Sequence, residues 1–200
     1  MRLGIMGGTF DPIHYGHLVA AEMTRYKFNL SKVLFIPTGK PPHKLERETA
    51  AAEQRLAMIK EAIRDNAEFD ISTLELEREG PSYTVDTLRI LRGDYPEHQL
   101  YFITGTDALL HIFSWYKSEE IFKLTEVIGV ARPGFDLTDF ILKLKQEHSD
   151  DRSRIHYVEV PALAISSTDI RERVRNGQSI RYLLPEAVRQ IIIRNRLYEK

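Results

Sequence analysis

Short apolar runs alternate along the chain with longer stretches in which apolar residues recur at helical spacing. The runs have the length of buried strands and are bounded by turn-forming or polar residues. The strands predicted in this way are Leu3–Met6, Val33–Ile36, Phe69–Leu76, Leu100–Ile103, Val127–Ala131 and Ile155–Val160. The predicted helices are Tyr15–Phe28, Ala50–Arg64, Tyr83–Leu91 with Ser82 as its cap, a short helix ending at Ile121–Leu124, Phe140–Lys145, Ser167–Arg175 and Pro185–Arg194.

The alternation of strands and helices predicts an α/β fold, in which helices cover both faces of a parallel sheet. We expect a Rossmann-like, doubly wound sheet with a small helical part toward the C-terminal end. Neither a repeat nor a low-complexity linker divides the sequence, so residues 1–200 are interpreted as a single domain. Ligands of such sheets collect at the carboxyl ends of the strands, and candidate site residues are expected there.

Composition narrows the classes of function. The 28 basic and 29 acidic residues give a formal net charge of -1, so nucleic acid and anionic membranes are poor default partners. Cysteine is absent, which excludes a disulfide framework, a thiolate zinc site and a cysteine nucleophile. The first apolar run is too short and glycine-rich for a signal sequence, and no run approaches membrane-spanning length. We therefore expect a cytoplasmic enzyme or binding protein, with a homodimer left open.

The first predicted strand leads directly into the segment GGTFDPIHYGH at residues 7–17. Gly7 and Gly8 permit close approach of a ligand to the backbone, and the start of the following helix suits a phosphate. His14 and His17 lie three positions apart, so their rings are expected to project from one side of the helix. Gly16 between them leaves room for a base or phosphate. A chance surface pair or a metal site is the alternative, but no carboxylate or cysteine is clustered beside the histidines, which disfavours zinc.

A second segment, Ile165–Arg171, follows the last predicted strand and reads ISSTDIR. Any one of Ser166, Ser167 and Thr168 is alternatively a helix cap. Three consecutive hydroxyls exceed what a cap requires. The backbone N–H groups at the start of this helix form a second potential anion-binding site, in addition to the helix start that follows Gly7 and Gly8. Arg171 lies one turn further on, within expected reach of a phosphate.

Two other segments carry candidates whose alternative interpretation is structural. Trp115 is the only tryptophan, and a lone tryptophan is more often part of a core, but its polar neighbours here make an exposed stacking face more plausible than usual. The loop Pro37–Glu48 carries Lys44 and Arg47. A run of charged residues is usually a solvated surface, but the position of this loop after the second strand favours contact with a phosphate. Lys44 is the stronger candidate for that contact and Arg47 the weaker one.

Residues 7–17 resemble the signature of the HxGH nucleotidyltransferases, with His14 and His17 as its histidines. The GGTFDP form, with Ile13 before the first histidine, resembles the bacterial nicotinate-nucleotide adenylyltransferases in particular. Ile165–Arg171 resembles the second motif of that family, ISSTxIR, throughout. The resemblance implies transfer of the adenylyl group of ATP to nicotinate mononucleotide, which gives nicotinate adenine dinucleotide (deamido-NAD) and pyrophosphate in NAD biosynthesis.

The resemblance also implies roles for individual residues. His14, His17 and Arg171 would be catalytic, without a covalent enzyme intermediate, and Mg²⁺ would arrive with ATP rather than on a metal site of the protein. The residues expected to bind ATP are Gly7, Gly8, Thr9, Phe10, His14, His17, Gly105, Asp107, Ile165, Ser166, Ser167, Thr168 and Arg171. Those expected to bind the acceptor are Lys44, Thr84, Trp115, Tyr116 and Arg132. Trp115 would stack on the pyridine ring, and Thr84 would hydrogen-bond its carboxylate region.

Alternatives stay open at this point. Pantetheine-phosphate adenylyltransferases share both motifs, but they are usually shorter and lack the SYT, GTD and WY segments found here. A nucleotide-binding regulator without catalysis is the other alternative. Asp107 would hold ribose or acceptor, or cap a helix, and Arg132 would serve ATP, the acceptor or a surface ion pair. The choice between a nicotinate and a nicotinamide acceptor, and closure of the Pro37–Glu48 loop over ligand, are not decided by the sequence.

Overall fold

The computed structural model describes residues 1–40, 49–131, 154–161 and 164–199. Its strands are β1 (Arg2–Gly8), β2 (Lys32–Pro37), β3 (Phe69–Ile71), β4 (Gln99–Gly105), β5 (Glu126–Ala131) and β6 (Ile155–Glu159). Its helices are α1 (Tyr15–Lys27), α2 (Ala52–Ile63), α3 (Leu74–Glu77), α4 (Thr84–Asp94), α5 (Thr106–Leu109), α6 (Ser118–Leu124), α7 (Ser167–Arg175) and α8 (Glu186–Arg194), with a 3₁₀ turn at Ile112–Ser114. Within these residues, no helix is both long enough and apolar enough to cross a membrane.

The six strands form one parallel sheet in the order β3-β2-β1-β4-β5-β6. The chain builds one half of the sheet outward from β1 to β3 and then crosses back to β4, which pairs with β1 and begins the other half. This is the point at which doubly wound sheets open a crevice at their carboxyl edge. The predicted Rossmann-like topology is therefore confirmed, and the crevice lies at the ends of β1 and β4.

Helices cover both faces of the sheet, as predicted. On one face α1, α2, α7 and α8 pack on the strands through buried apolar side chains that include Ala21, Met58, Ile170 and Val188. On the other face α4, α5 and α6 do so through side chains that include Leu88, Leu109 and Ile121. The strands supply both layers because successive side chains point to opposite faces. Met6, for example, belongs to the first layer and Ile5 to the second.

The predicted strand Phe69–Leu76 is wrong over its second half. β3 ends at Ile71, and α3 begins at Leu74. The alternation of apolar residues changes phase between Ile71 and Leu74, and the carbonyl of Thr73 accepts hydrogen bonds from the N–H groups of Leu76 and Glu77. Leu74 and Leu76 are thus apolar members of a single helical turn, which short-range periodicity does not distinguish from a strand.

The predicted cap of α4 is also wrong. Tyr83 occupies the cap position, and the hydroxyl of Ser82 instead accepts hydrogen bonds from the backbone N–H groups of Gly39 and Lys40, each at 3.2 Å. A hydroxyl can satisfy distant backbone donors as well as local ones, and the local pattern does not reveal which. Pro185 precedes α8 rather than opening it. The predicted helix Phe140–Lys145 lies outside the described residues.

Candidate active site

Two cavities of about 520 Å³ each open at the carboxyl edge of the sheet, one on either side of β1 and β4. The first, here called the histidine cavity, is lined by Met6, Gly7, His14, Gly16, His17, Ala20, Ile103, Thr104, Gly105, Asp107, Ala108, Val130, Val160, Pro161, Ile165, Ser166 and Ser167. The second, the tryptophan cavity, has Gly8, Thr9, Glu75, Ser82, Tyr83, Thr84, Trp115 and Tyr116 in its lining. Gly7, Thr104 and Ala108 line both, so the two cavities meet at the strand ends.

The two histidines lie on one side of α1, as predicted. Their ring centroids are 3.8 Å apart, and His14 occupies the N-cap position with its backbone N–H donating to Nδ1 of His17 at 3.3 Å. Because Nδ1 accepts this bond, the proton of a neutral His17 ring lies on Nε2. Burial, and then the proximity of His14, hold the pKa of His17 well below its usual value. The ligand-free site therefore offers a neutral Nε2–H donor at neutral pH.

The absence of a side chain at Gly16 leaves room for the imidazole ring of His14. A Cβ atom at this position would lie 2.9 Å from Nδ1 of His14 and 3.4 Å from the carbonyl oxygen of Ile165. The ring of His14 and the segment that leads into α7 therefore lie close to Gly16, which itself lines the histidine cavity. At Gly16 the first sequence motif and the start of the second, at Ile165, lie close together.

The backbone between the glycines and the histidines is anchored from other elements. Arg55 of α2 donates to the carbonyl of Thr9 at 2.8 Å, and Ser167 of α7 donates to the carbonyl of Pro12 at 2.9 Å. Arg171 donates to the carbonyl of Asp11. Three carbonyl groups of the first motif thus have side-chain partners from α2 and α7, which fixes the path of the chain into the histidine pair.

The side chain of Arg171 does not have the exposed position expected of a phosphate ligand. Its side chain is buried, and its guanidinium also donates to Oγ1 of Thr168 at 3.2 Å and lies 3.6 Å from Oδ2 of Asp11. It is not among the described residues that line either cavity. The structure therefore brings Arg171 to the first motif rather than to open space, and its catalytic role stays a prediction.

The second motif brings its serines to the histidine cavity. Ser166 caps α7 by accepting a hydrogen bond from the N–H of Asp169 at 3.1 Å, so the structural alternative holds for this one hydroxyl. Ile165 and Ser167 line the same cavity, whereas Thr168 is exposed at the surface and is not among the described lining residues. The helix start of α7 therefore faces the histidines across the cavity.

The residues predicted after β4 also reach the histidine cavity. Gly105 is the cap residue of α5, and Asp107 lies in its first turn. Asp107 is therefore not itself the cap, and its side chain is exposed. Gly7 lies near the end of β1, and Gly105 is the last residue of β4. Because these strands are neighbours in the sheet, the strand order brings the two glycines to the same part of the site.

The tryptophan cavity has an aromatic wall. Trp115 is partly buried and meets Phe102 edge-on at 6.0 Å, which leaves the indole supported from behind while it lines the cavity. Tyr116 packs at 4.7 Å from Tyr83 and is 50% exposed. Thr84, Trp115 and Tyr116 all line this cavity, so the structure brings together the three predicted acceptor residues that it describes. Lys44, Arg47 and Arg132 lie outside the described residues.

Besides Thr168 and Arg171, three predicted ATP-binding residues are not among the described residues that line the histidine cavity: Gly8, Thr9 and Phe10. Thr9 lines the tryptophan cavity, and Phe10 is buried and touches neither cavity. The ring of Phe10 packs beneath Gly8, where a Cβ atom would lie 3.1 Å from it, and stands edge-on to His17 at 5.1 Å. Phe10 therefore packs against both Gly8 and His17.

Sequence reasoning missed Glu75, a buried carboxyl group in the wall of the tryptophan cavity. It accepts a hydrogen bond from Oγ1 of Thr87 at 2.6 Å, and burial raises its pKa. Glu75 lies in the segment predicted as a strand, where it would be an outward-facing charge. Its direction toward α4 could have been predicted only if this segment had been assigned as the helix α3.

Comparisons with known proteins identify the family of the chain. The model of the cytidylyltransferase-like family matches residues 5–173. A protein of Desulfitobacterium hafniense (strain Y51) named "Probable nicotinate-nucleotide adenylyltransferase" is 55% identical over 98% of this chain and 95% of its own. The chain belongs to the nicotinate-nucleotide adenylyltransferases.

Relatives in other organisms and a solved structure extend the match. A protein of Moorella thermoacetica with the same name is 52% identical over 98% of this chain and 91% of its own. The structure "Plasmodium falciparum nicotinic acid mononucleotide adenylyltransferase complexed with NaAD" covers 99% of this chain and 97% of its own, with a TM-score of 0.79 at 22% identity. At that identity the likeness concerns the fold, which this nucleotidyltransferase shares over its whole length.

Proposed function

We propose that this nucleotidyltransferase joins ATP and nicotinate mononucleotide across the meeting point of the two cavities, forming nicotinate adenine dinucleotide and pyrophosphate. The observation that carries the proposal is the shared edge at Gly7 and Thr104, with a histidine pair on one side and an aromatic wall on the other. A dinucleotide has two nucleoside ends and would need two such cavities. The related protein from Plasmodium falciparum is described as a complex with NaAD, which supports this reading.

The histidine cavity is the proposed site of the ATP phosphates. His14, His17, Gly7 near the end of β1 and the helix start at Ser166 and Ser167 surround it with hydrogen-bond donors. An anionic polyphosphate beside His17 would raise its pKa and favour a charged imidazole in the complex. Gly105 and Asp107 would contact the ribose at the outer end of the cavity.

The tryptophan cavity is the proposed site of the acceptor. Its aromatic wall at Trp115 and Tyr116 suits stacking on a pyridine ring, and the helix start at Thr84 suits its carboxylate. Lys44 and Arg132 are kept as proposed acceptor contacts. The nicotinate ring would then lie on the opposite side of β1 and β4 from adenine, with both phosphate groups at the shared edge.

The chemistry needs little beyond positioning and charge. An oxygen of the acceptor's 5′-phosphate would attack the α-phosphorus of ATP in line, and the bond from that phosphorus to the bridging oxygen of the β-phosphate would break, releasing pyrophosphate. The attacking phosphate is anionic at neutral pH, so a strong general base is unnecessary. Donors aimed at the α-phosphate, foremost Nε2 of His17, would stabilise the charge that builds in the transition state.

Magnesium enters this proposal as part of the substrate. In the described part of the chain, no group of three or more His, Asp or Glu side chains is placed to hold a metal ion. We therefore propose the magnesium complex of ATP as the donor, in which the phosphates hold the cation.

The test is a pyrophosphate-release assay with ATP, Mg²⁺ and one acceptor at a time. We expect release with nicotinate mononucleotide, and less with nicotinamide mononucleotide. Release with phosphopantetheine alone would replace the proposal with the pantetheine-phosphate reaction, and no release with any acceptor would favour a nucleotide-binding regulator. The cytoplasmic location and a homodimer stay predictions, for fractionation and light scattering to check.

A further inference from the structure

The first motif is held by a residue that lies 187 positions away in the sequence. The phenol of Tyr198 donates a hydrogen bond to Oδ1 of Asp11 at 2.7 Å. We infer that Tyr198 is a positioning residue for the histidine pair and that it acts through Asp11. The inference rests on the proposed function, because it concerns the same histidines.

Asp11 is the buried centre of this contact. Its side chain is 3% exposed, and Oδ1 also accepts the backbone N–H of Ala50 at 3.1 Å. Oδ2 has no hydrogen-bond partner among the described residues and lies 3.6 Å from Nη1 of Arg171. A buried carboxylate keeps its orientation only while its few partners remain, so each partner of Asp11 contributes to the path of the backbone.

Tyr198 is suited to be a permanent partner. Burial, followed by the charge of Asp11, raises the pKa of its phenol above the usual range, so that the hydroxyl keeps its proton and always donates. Arg171 and Arg55 bring positive charge to the same region, and burial lowers the pKa of Arg55. One carboxylate thus faces two guanidinium groups and one phenol, each from a different part of the chain.

The contact is transmitted to His17 through the residue before Asp11. Phe10 has a φ of 50°, in the left-handed region that residues other than glycine rarely adopt. Such a conformation persists only where the surroundings hold it, and here the anchored carboxylate of Asp11 follows directly. The ring of Phe10 stands 5.1 Å from that of His17, so a change in the backbone at Asp11 would tilt His17.

A second route leads from Asp11 toward His14. The carbonyl of Pro12 accepts the hydroxyl of Ser167, and two residues later the N–H of His14 donates to His17. The carbonyl of Asp11 and that of Pro12 are both bound from α7, while the side chain of Asp11 is bound by Tyr198. Loss of the phenol would leave the side chain of Asp11 with the N–H of Ala50 as its one remaining hydrogen-bond donor among the described residues, while α7 still binds the two carbonyl groups.

The experiment removes the hydroxyl and keeps the ring. Tyr198→Phe is compared with Tyr182→Phe, a matched control, because Tyr182 has a φ of 67° against 68° for Tyr198 but is 83% exposed. Steady-state kinetics give kcat and both KM values, and ¹⁵N NMR of the imidazoles reports the histidines in the ligand-free protein. We expect roughly tenfold lower kcat in Tyr198→Phe from misplacement of the histidines, an acceptor KM within about twofold of wild type, and shifted His17 resonances. Tyr182→Phe should match wild type in all three.

A second variant tests the route through Asp11. If Tyr198 acts through this carboxylate, Tyr198→Phe should reduce kcat little further when it is added to Asp11→Asn. Fully multiplied losses would overturn the inference, as would wild-type kcat together with unshifted His17 resonances in Tyr198→Phe. The NMR measurement needs no substrate. A wild-type protein that forms no dinucleotide would therefore contradict the proposed function, while the resonances would still decide the role of Tyr198.

Discussion

The backbone N–H of His14 points at Nδ1 of His17, at 3.3 Å, so the position of one histidine determines the tautomer of the other. The spacing of three residues makes this bond because His14 caps α1 and His17 is the third residue of the helix. A side chain at the third position normally reaches back to the cap residue, as in a capping box. Here the imidazole of His17 does so and keeps Nε2 for a ligand.

Replacing His17 tests its role as a donor. We expect His17→Ala to lower kcat by about 10²–10³-fold, the usual cost of losing one donor to transition-state charge, with little change in acceptor KM. His17→Gln, which restores an N–H near the position of Nε2, should recover part of the loss. Steady-state rates of dinucleotide formation measure both variants. A kcat for His17→Ala equal to that of wild type would remove His17 from the chemistry.

The stability of the protein should depend on pH through His17. Its folded pKa lies below its usual value, so below about pH 6.5 the unfolded chain binds a proton that the folded protein does not. The free energy of unfolding should therefore rise with pH between the lowered pKa and about 6.5, and level off above it. Urea titrations across this range should show a weaker rise in His17→Gln. An unchanged slope in that variant would assign the pH dependence to other groups.

Gly16 offers a test of packing at the same site. In Gly16→Ala the added methyl group would press on Nδ1 of His14 at 2.9 Å, and we expect displacement of the ring to lower kcat by about 10–100-fold. Gly93→Ala in α4 is the matched control, because its added Cβ would meet no atom of the described residues within 4 Å outside the neighbouring backbone of its own helix. The control should keep wild-type kcat and gain roughly 0.5–1 kcal/mol of stability. Equal kinetics in the two variants would show that His14 tolerates the shift.

The sequence predicted the site residues whose contacts are close in the chain and missed those whose contacts are distant in the chain. Gly7, Gly16 and the two histidines form one strand–turn–helix unit, and local spacing was enough to place them together. The positions of Glu75 and Asp11 depend on Thr87, Ala50 and Tyr198, which lie 12, 39 and 187 positions away. Local periodicity carries no information about such pairs.

The same limit explains the errors in the fold. The phase change after Ile71 is visible in the sequence, but a single helical turn and a strand satisfy it equally well. Ser82 is a good cap by type, yet its hydroxyl serves the turn after β2, which folding brings beside α4. The parallel, doubly wound sheet was predictable because the crossover rules for parallel strands act on whole elements rather than on single side chains.

Trp115 allows binding of the acceptor to be followed directly, because it is the only tryptophan. We expect its fluorescence to change when nicotinate mononucleotide is added and to change less with ATP alone. Loss of one stacking face is worth about 1–3 kcal/mol, so Trp115→Ala should raise the acceptor KM by about 5- to 150-fold. The KM for ATP should stay near wild type. A larger effect on ATP than on the acceptor would reverse the assignment of the two cavities.

Arg171 allows a choice between two roles that the sequence and the structure suggest. As a phosphate ligand it would matter for ATP, whereas as a buried partner of Asp11 it would matter for folding. We expect Arg171→Ala to lower the free energy of unfolding by about 3 kcal/mol, the lower end of the cost of breaking a buried ion pair, because the carboxylate of Asp11 loses one of its two neighbouring cations and keeps Arg55. Arg171→Lys keeps the charge but not the two directed hydrogen bonds, and it should fall between Arg171→Ala and wild type. Urea denaturation measures both, and the ATP KM of Arg171→Lys separates the roles. A raised ATP KM at wild-type stability would make Arg171 a phosphate ligand, while lowered stability at an unchanged ATP KM would make it the anchor of the first motif.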